Sequence, residues 1–181
     1  LCGQCLNDYI LMLVLHKIIL FIILPMSSAN EDTAPLAIGD NAPGIATIIE
    51  TGDPLKLSEV YSDGPTLVYF YPKADTPGCT AQSCNLRDAY EELQSAGIRV
   101  IGVSADTPEE QKAFKDKFQL PFTLLADYEG KVIEAFGVPR NNGKAKRQTF
   151  LILGGKIVWR DLEAQPVTQA QDALAALSSL D

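Results

Sequence analysis

The chain has 181 residues, is 46% hydrophobic and carries a formal net charge of −8 at neutral pH. That length and apolar fraction are enough for one well-buried core, so a single domain is expected. With acidic residues in excess there is no basic face to neutralise phosphates, which excludes nucleic acid and anionic membrane surfaces as partners.

The first 29 residues read differently from the rest. The run "LMLVLHKIILFIILPMSSA" is apolar, carries one lysine and ends in small residues. Two readings stay open. With a start at Met12, "MLVLHK" is a basic n-region, "IILFIIL" an apolar h-region and "SSA", ending at Ala29, a cleavage site, so residues 1–29 are a signal peptide and the mature protein is extracytoplasmic (periplasmic). With a start at Met26, the upstream residues are a mis-called leader and the protein is cytoplasmic. The apolar run is shorter than the roughly 20 residues a spanning helix needs, so the mature form is expected to hold no membrane segment. Cys2 and Cys5 mimic a C-x-x-C motif but lack the preceding strand that such a motif requires. Removing residues 1–29 takes away Asp8 and Lys17 together, leaving the charge at −8, and also His16, the sole histidine.

After a flexible lead-in over residues 30–37, the domain proper spans 38–181. Ala46–Glu50 reads as a strand and Leu55–Leu57 as a short one, with Ser58 as the cap of a helical turn "SEVY". "TLVYFY" (Thr66–Tyr71) is a continuous β-branched and aromatic run bounded by Gly64-Pro65 and Pro72, the pattern of a central strand buried on both faces. Thr76-Pro77-Gly78 is a helix start, with a hydroxyl cap and a proline whose missing N–H is not needed. Leu86, Ala89, Tyr90 and Leu93 then keep helical spacing until Gly97. "IRVIGVS" is a second buried strand. Thr107 caps a helix with Pro108 at its first position and Glu109 and Glu110 in its first turn, running to about Gln119. "FTLLAD" is a third strand, "KVIEAF" a short helix closed by Gly137, and "QTFLILG" and "KIVWRD" a hairpin across Gly154-Gly155. A last amphipathic helix covers Val167–Leu177. Alternating strands and helices with a terminal hairpin predict an α/β fold whose central sheet is mixed and flanked by helices.

"TPGCTAQSCN" (Thr76–Asn85) sets Cys79 in the first turn of a helix and Cys84 five residues on. Orphan N–H groups and the positive end of the helix dipole favour a thiolate at Cys79, the nucleophilic form of cysteine. Five helical residues turn by about 140° net and rise about 7.5 Å, separating the two Cα atoms by roughly 8.6 Å. A disulfide needs less than about 7 Å. A Cys79–Cys84 bond is therefore impossible while both residues are helical, and forming one requires the first turns to unwind. At this level the pair reads equally as two half-buried structural cysteines. A metal site lacks further ligands, and without histidine Ser-His-Asp hydrolysis, Cys-His proteolysis and histidine-ligated haem are excluded.

The stretch "YFYPKADTPGCTAQSCNLRD" resembles the active-site segment of peroxiredoxins, in particular the bacterioferritin comigratory protein or peroxiredoxin Q branch. The family motif P-x-x-x-T-x-x-C is matched by Pro72, Thr76 and Cys79, the second cysteine of that branch by Cys84, and an arginine before a "TF" strand by Arg147 in "KRQTFLI". The likeness extends from about Ile38 to the end. It implies a thioredoxin-like fold and a thiol-dependent peroxidase, an antioxidant enzyme of the atypical two-cysteine kind. Cys79 would attack hydrogen peroxide or an organic hydroperoxide and become a sulfenic acid, Cys84 would condense with it to a disulfide, and thioredoxin or a similar dithiol would reduce the product. No cofactor is implied, and the protein would be a monomer or weak dimer.

Chemistry assigns the neighbouring residues. A thiol of pKa about 8.5 is only about 3% ionised at pH 7, so ionisation alone raises its reactive fraction at most about 30-fold. The remaining acceleration calls for fixed donors aimed at the charge developing on the leaving oxygen. Arg147 offers a permanent fork of N–H groups, Thr76 a hydroxyl able to donate to and accept from the peroxide, and Gly78 and Cys79 their backbone N–H groups. Pro72 shields the thiolate from water. Arg147 also reads as one of three cations on a solvated loop "NNGKAKRQ", Thr76 as a simple helix cap, Lys73 and Arg87 as surface charges. Tyr69 and Tyr71 read as core aromatics, with Tyr71 a candidate for the pocket mouth. The competing functions are a thiol–disulfide oxidoreductase on the same fold, which would favour C-x-x-C spacing, and a non-catalytic binding module with cysteines as core fillers.

Overall fold

A computed structural model describes residues 34–180. The leader, with Cys2, Cys5, Met12, His16, Met26 and Ala29, lies outside the described residues. Chain order runs β1 (Ala46–Ile48), β2 (Pro54–Lys56), α1 (Leu57–Val60), β3 (Thr66–Phe70), α2 (Pro77–Asp88), α3 (Tyr90–Ser95), β4 (Arg99–Ser104) and α4 (Pro108–Phe118). It continues through β5 (Thr123–Ala126), α5 (Lys131–Ala135), β6 (Arg140–Asn141), β7 (Lys144–Ala145), β8 (Gln148–Leu153), β9 (Lys156–Asp161) and α6 (Gln169–Ser178).

The fully buried run Thr66–Phe70 forms the middle of a five-stranded sheet of order β5-β4-β3-β8-β9. Val68 pairs with Ile101 on the parallel side and with Phe150 on the antiparallel side, so the sheet is mixed as expected. Side-chain alternation along β3 then builds two cores. Leu67, Tyr69 and Tyr71 pack with Cys79 and Leu86 of α2, Leu93 of α3, Phe114 of α4 and the alanines of α6. Val68 and Phe70 pack with Leu57 and Val60 of α1 and with Val132, Ile133 and Phe136 around α5. On that second face Phe70, Phe136 and Phe150 form a triad with ring centroids 5.2, 5.3 and 5.8 Å apart, each ring contributing about 1.5–3 kcal/mol by its burial.

Short pairings fasten the outer strands. Ile49 bridges Leu125 of β5, and Asn41 bridges Lys156 of β9, extended by Gly39 N–H donating to the Ile157 carbonyl at 2.8 Å. Packing begins upstream of Ile38: Leu36 N–H donates to the Phe136 carbonyl at 3.1 Å, and Arg160 donates to the Pro35 carbonyl at 2.8 Å.

Several local expectations hold and four shift. Thr107 and Glu110 form a complete capping box on α4, and Gly154-Gly155 turns the β8–β9 hairpin with φ of 56° and 75°. The helical turn expected to begin at Ser58 begins at Leu57, with Lys56 at the cap and no side-chain cap bond, because the Leu57 N–H already donates to the Ile45 carbonyl at 3.0 Å. The helix expected to run unbroken to Gly97 breaks at Ala89 (φ −99°, ψ 13°). The break lets Tyr90 lie against Phe122, with centroids 5.9 Å apart, while Leu86 and Leu93 both stay fully buried. Helix α6 starts two residues later than expected, leaving Val167 exposed. Finally, the segment read as a solvated loop holds the β6–β7 hairpin, turned by Asn142 and Gly143 at φ 50° and 77°. Both turn residues sit in the left-handed region that Asn-Gly supplies in two-residue hairpins.

Candidate active site

Cys79 occupies the first turn of α2, 1% exposed, and Cys84 lies half-buried further along the same helix; both are free thiols. The N–H groups of Gly78 and Cys79 are among the four that an α-helix leaves without an intrahelical partner. Entry into the helix is set by Asp75, held at φ 56° and ion-paired to Lys117 at 2.6 Å. Thr76 stands at the N-cap in an extended conformation, but its hydroxyl makes no capping bond; it donates to the Lys73 carbonyl at 2.9 Å. The expectation of a side-chain cap is thereby corrected. With its proton committed to Lys73, the Thr76 oxygen is left to accept rather than donate.

Arg147 reaches the thiol. Its Nη2 donates to Cys79 Sγ at 3.5 Å, and its Nη1 donates to Gln82 Oε1. Gln82 Nε2 donates in turn to Gln169 Oε1 at 2.7 Å, and Gln169 Nε2 to Thr149 Oγ1 at 2.6 Å. Both glutamines are at most 1% exposed. Every donor in this chain points the same way, so each bond polarises the next and the guanidinium is fixed from behind. Arg147 is thus not one of three equivalent loop cations: Lys146 turns outward to Glu163, while Arg147 turns inward. Gly78 makes room for it, since a Cβ at that position would lie 3.2 Å from Nη2.

A second polar network holds the loop before α2. The buried Asp106 carboxylate accepts from Ala74 N–H at 2.7 Å, Ser104 Oγ at 2.6 Å and Lys73 Nζ at 2.6 Å. Gln111 Nε2 donates to Ser104 Oγ and to the Leu125 carbonyl, both at 2.8 Å, and its Oε1 accepts from the Tyr71 hydroxyl. Tyr71 is therefore fully enclosed and does not line the pocket mouth. Lys73 is a loop anchor, its ammonium held above the usual range first by Asp106 and then by Glu110. Arg87 pairs with Asp88 and donates to the Phe118 carbonyl at 2.8 Å. Beneath the thiol, the Tyr69 hydroxyl meets Ser83 Oγ at 2.9 Å, and burial drives its pKa upward, keeping the phenol neutral.

A cleft of about 470 Å³ opens beside the guanidinium, lined by Pro72, Pro139, Arg140, Asn141, Lys144 and Arg147 among others. Pro72 and Arg147 thus line the same cleft. The structure thus brings Cys79, Gly78 and Arg147 together directly, joins Pro72 through the cleft, and leaves Cys84 on the intact helix.

Sequence reasoning missed Gln82, Gln169, Thr149 and Asp106. A readable signal existed for Gln82, which follows Cys79 by three residues and so shares its helix face. None existed for Gln169 and Thr149, which meet Gln82 only through the sheet and α6.

The AhpC/TSA family pattern matches residues 38–160. A chloroplastic peroxiredoxin Q from Sedum lineare is 37% identical over 155 residues, covering 83% of this chain and 83% of its own length. Peroxiredoxin bcp1 of Schizosaccharomyces pombe is 34% identical over 157 residues, covering 85% of this chain and 80% of its own. Among solved structures, peroxidoxin BcpB from Mycobacterium tuberculosis superposes with a TM-score of 0.76 at 34% identity, over 81% of this chain and 99% of that one.

Proposed function

The chain belongs to the AhpC/TSA family and is a thiol-dependent peroxidase, and from that premise we propose that its turnover runs through a Cys79 sulfenic acid and a Cys79–Cys84 disulfide. In the first step the Cys79 thiolate attacks one peroxide oxygen and the O–O bond breaks. Sulfur is oxidised to the sulfenic acid, and the departing oxygen takes up a proton to leave as an alcohol, or as water from hydrogen peroxide. Arg147 Nη2, 3.5 Å from the sulfur, offers a fixed positive donor where the leaving oxygen gains charge, a contribution worth about 10²–10³ in rate for a single donor of this kind. Thr76 accepts a hydrogen bond from the peroxide hydroxyl, and the first-turn N–H groups complete the cradle.

In the second step the Cys84 thiol displaces the sulfenic oxygen as water and the disulfide forms. A thioredoxin-like dithiol then returns both cysteines to thiols and is itself oxidised. The inward guanidinium on Cys79 is the observation that carries this reading. It is tested by mixing reduced protein with hydrogen peroxide: wild type consumes about one equivalent and loses two thiols, whereas Cys79→Ser consumes none. Peroxide loss that persists in Cys79→Ser would overturn the assignment.

An extracytoplasmic location is proposed from the n-, h- and cleavage-region pattern of residues 12–29. N-terminal sequencing of protein made in its own cells tests it: Asn30 as first residue supports export, whereas Met26 or Ser27 overturns it.

A further inference from the structure

We propose that Asn85 is a positioning residue, a latch that bolts the Cys84 turn of α2 to the start of α6 and so sets how fast the disulfide forms. The proposal rests on the reading of Cys84 as the resolving thiol. Asn85 follows Cys84 directly, and its side chain makes two bonds outside its own helix. Its Nδ2 donates to the Val167 carbonyl at 2.9 Å, and its Oδ1 accepts from Ala170 N–H at 3.0 Å.

Ala170 lies in the first turn of α6, where N–H groups need an external acceptor. The local candidate, Thr168, is turned away: it makes no capping bond and donates instead to Asp172 Oδ2 at 2.7 Å. Asn85 supplies the missing cap from a different helix. The junction is therefore mutual, since α6 is finished by α2, and the Cys84 turn is held in helical form by α6.

Unwinding α2 must break this junction. The two Cα atoms begin about 8.6 Å apart on an intact helix and must come within about 7 Å to bond. Moving Cys84 toward Cys79 carries the adjacent Asn85 backbone with it and pulls its amide off Val167 and Ala170. Cys79 Sγ and Arg147 make no bond to Asn85, and Gln169, beside Ala170, keeps its own side-chain bonds to Gln82 and Thr149, so the latch acts on the second step and leaves the first alone.

The competition it governs is chemical. The sulfenic acid either condenses with Cys84–SH, giving disulfide and water, or reacts with a second hydrogen peroxide, giving sulfinic acid and water. A tight latch lengthens the life of the sulfenic acid and favours the second fate.

Stopped-flow and mass measurements on Asn85→Ala test this. Expected are an unchanged first-turnover rate with peroxide, disulfide formation faster by roughly 5- to 30-fold from the loss of two hydrogen bonds, and a sulfinic fraction at high peroxide reduced by a similar factor. Asn85→Asp keeps the acceptor for Ala170 and loses only the donor, so its disulfide rate falls between those of wild type and Asn85→Ala. In unaltered protein, hydrogen exchange reads the latch directly: the Ala170 amide is protected in the reduced form and exchanges at least several-fold faster in the disulfide form. Equal disulfide rates in folded Asn85→Ala and wild type, or equal Ala170 protection in both redox forms, would overturn the latch. An oxidised wild type in which mass analysis finds no Cys79–Cys84 bond would overturn the resolving role itself.

Discussion

The two faces of the sheet are built from different materials. Behind Val68 and Phe70 lies the triad of Phe70, Phe136 and Phe150, closed by aliphatic residues of α1 and α5. Behind Tyr69 and Tyr71 the packing is threaded with buried Gln82, Ser83, Gln111, Thr149 and Gln169. Apolar contacts are non-directional, and they supply most of the folding energy without fixing any one atom. Hydrogen-bond chains are directional and add little net energy each, but they aim a guanidinium at a sulfur. Both faces bury apolar cores that hold the fold, and the polar-threaded one also aims the chemistry.

The sharpest way to break this contrast is on the apolar side. Phe150→Ala is expected to cost about 3–5 kcal/mol of stability in chemical denaturation and to leave peroxide consumption per folded molecule unchanged; a loss of activity at full folding would erase the distinction. Next comes Arg147→Ala, expected to lower kcat/KM for hydrogen peroxide roughly 10²–10³-fold. Arg147→Lys recovers little of that loss, because an ammonium keeps the charge but not the fork that meets sulfur and Gln82 together. Smaller is Gln169→Leu, which cuts the chain behind the guanidinium and is expected to lower kcat/KM about tenfold. Made on top of Arg147→Ala, it should cost almost nothing further in kcat/KM, whereas additive losses would mean the glutamine acts through packing alone.

Smallest is Thr107→Ala at the capping box of α4, expected to cost about 1 kcal/mol and to spare activity. The other half of the box, the Glu110 carboxylate on the Thr107 N–H, depends on pH. The Thr107 N–H and then Lys73 hold the Glu110 carboxyl below its usual range. A lowered folded pKa stabilises the fold above the unfolded value and stops doing so as pH falls through the folded one. The stability difference between wild type and Glu110→Gln is therefore expected to shrink in acid, as measured by denaturation across pH 2–7.

Much of this organisation was readable in the order of residues. The β-branched run at Thr66–Phe70 marked a central strand because burial on both faces leaves no polar alternation, and Thr107-Pro108 marked a helix start because local bonding alone decides it. The candidate site was legible where its parts are neighbours, at Thr76, Gly78, Cys79 and Cys84, and Arg147 came through likeness to a family. What stayed hidden depends on distance. Gln169 and Thr149 join Gln82 only after β8 and α6 have packed, and no periodicity foretells which buried glutamine meets which. The break at Ala89 has no glycine or proline to announce it, since tertiary packing of Tyr90 causes it. The Asn142-Gly143 hairpin did carry a local signal, masked by the charged residues around it.

The short bridges at Ile49 and Asn41 acquire a different meaning in a molecule proposed to unwind α2 partly in every cycle. Sheet margins with free N–H and C=O groups invite foreign strands to add on, and a transiently opened protein is the one most exposed to that accident. Occupying both margins with pieces of its own chain denies a neighbour its template, so the proposed opening of α2 is kept from seeding aggregation.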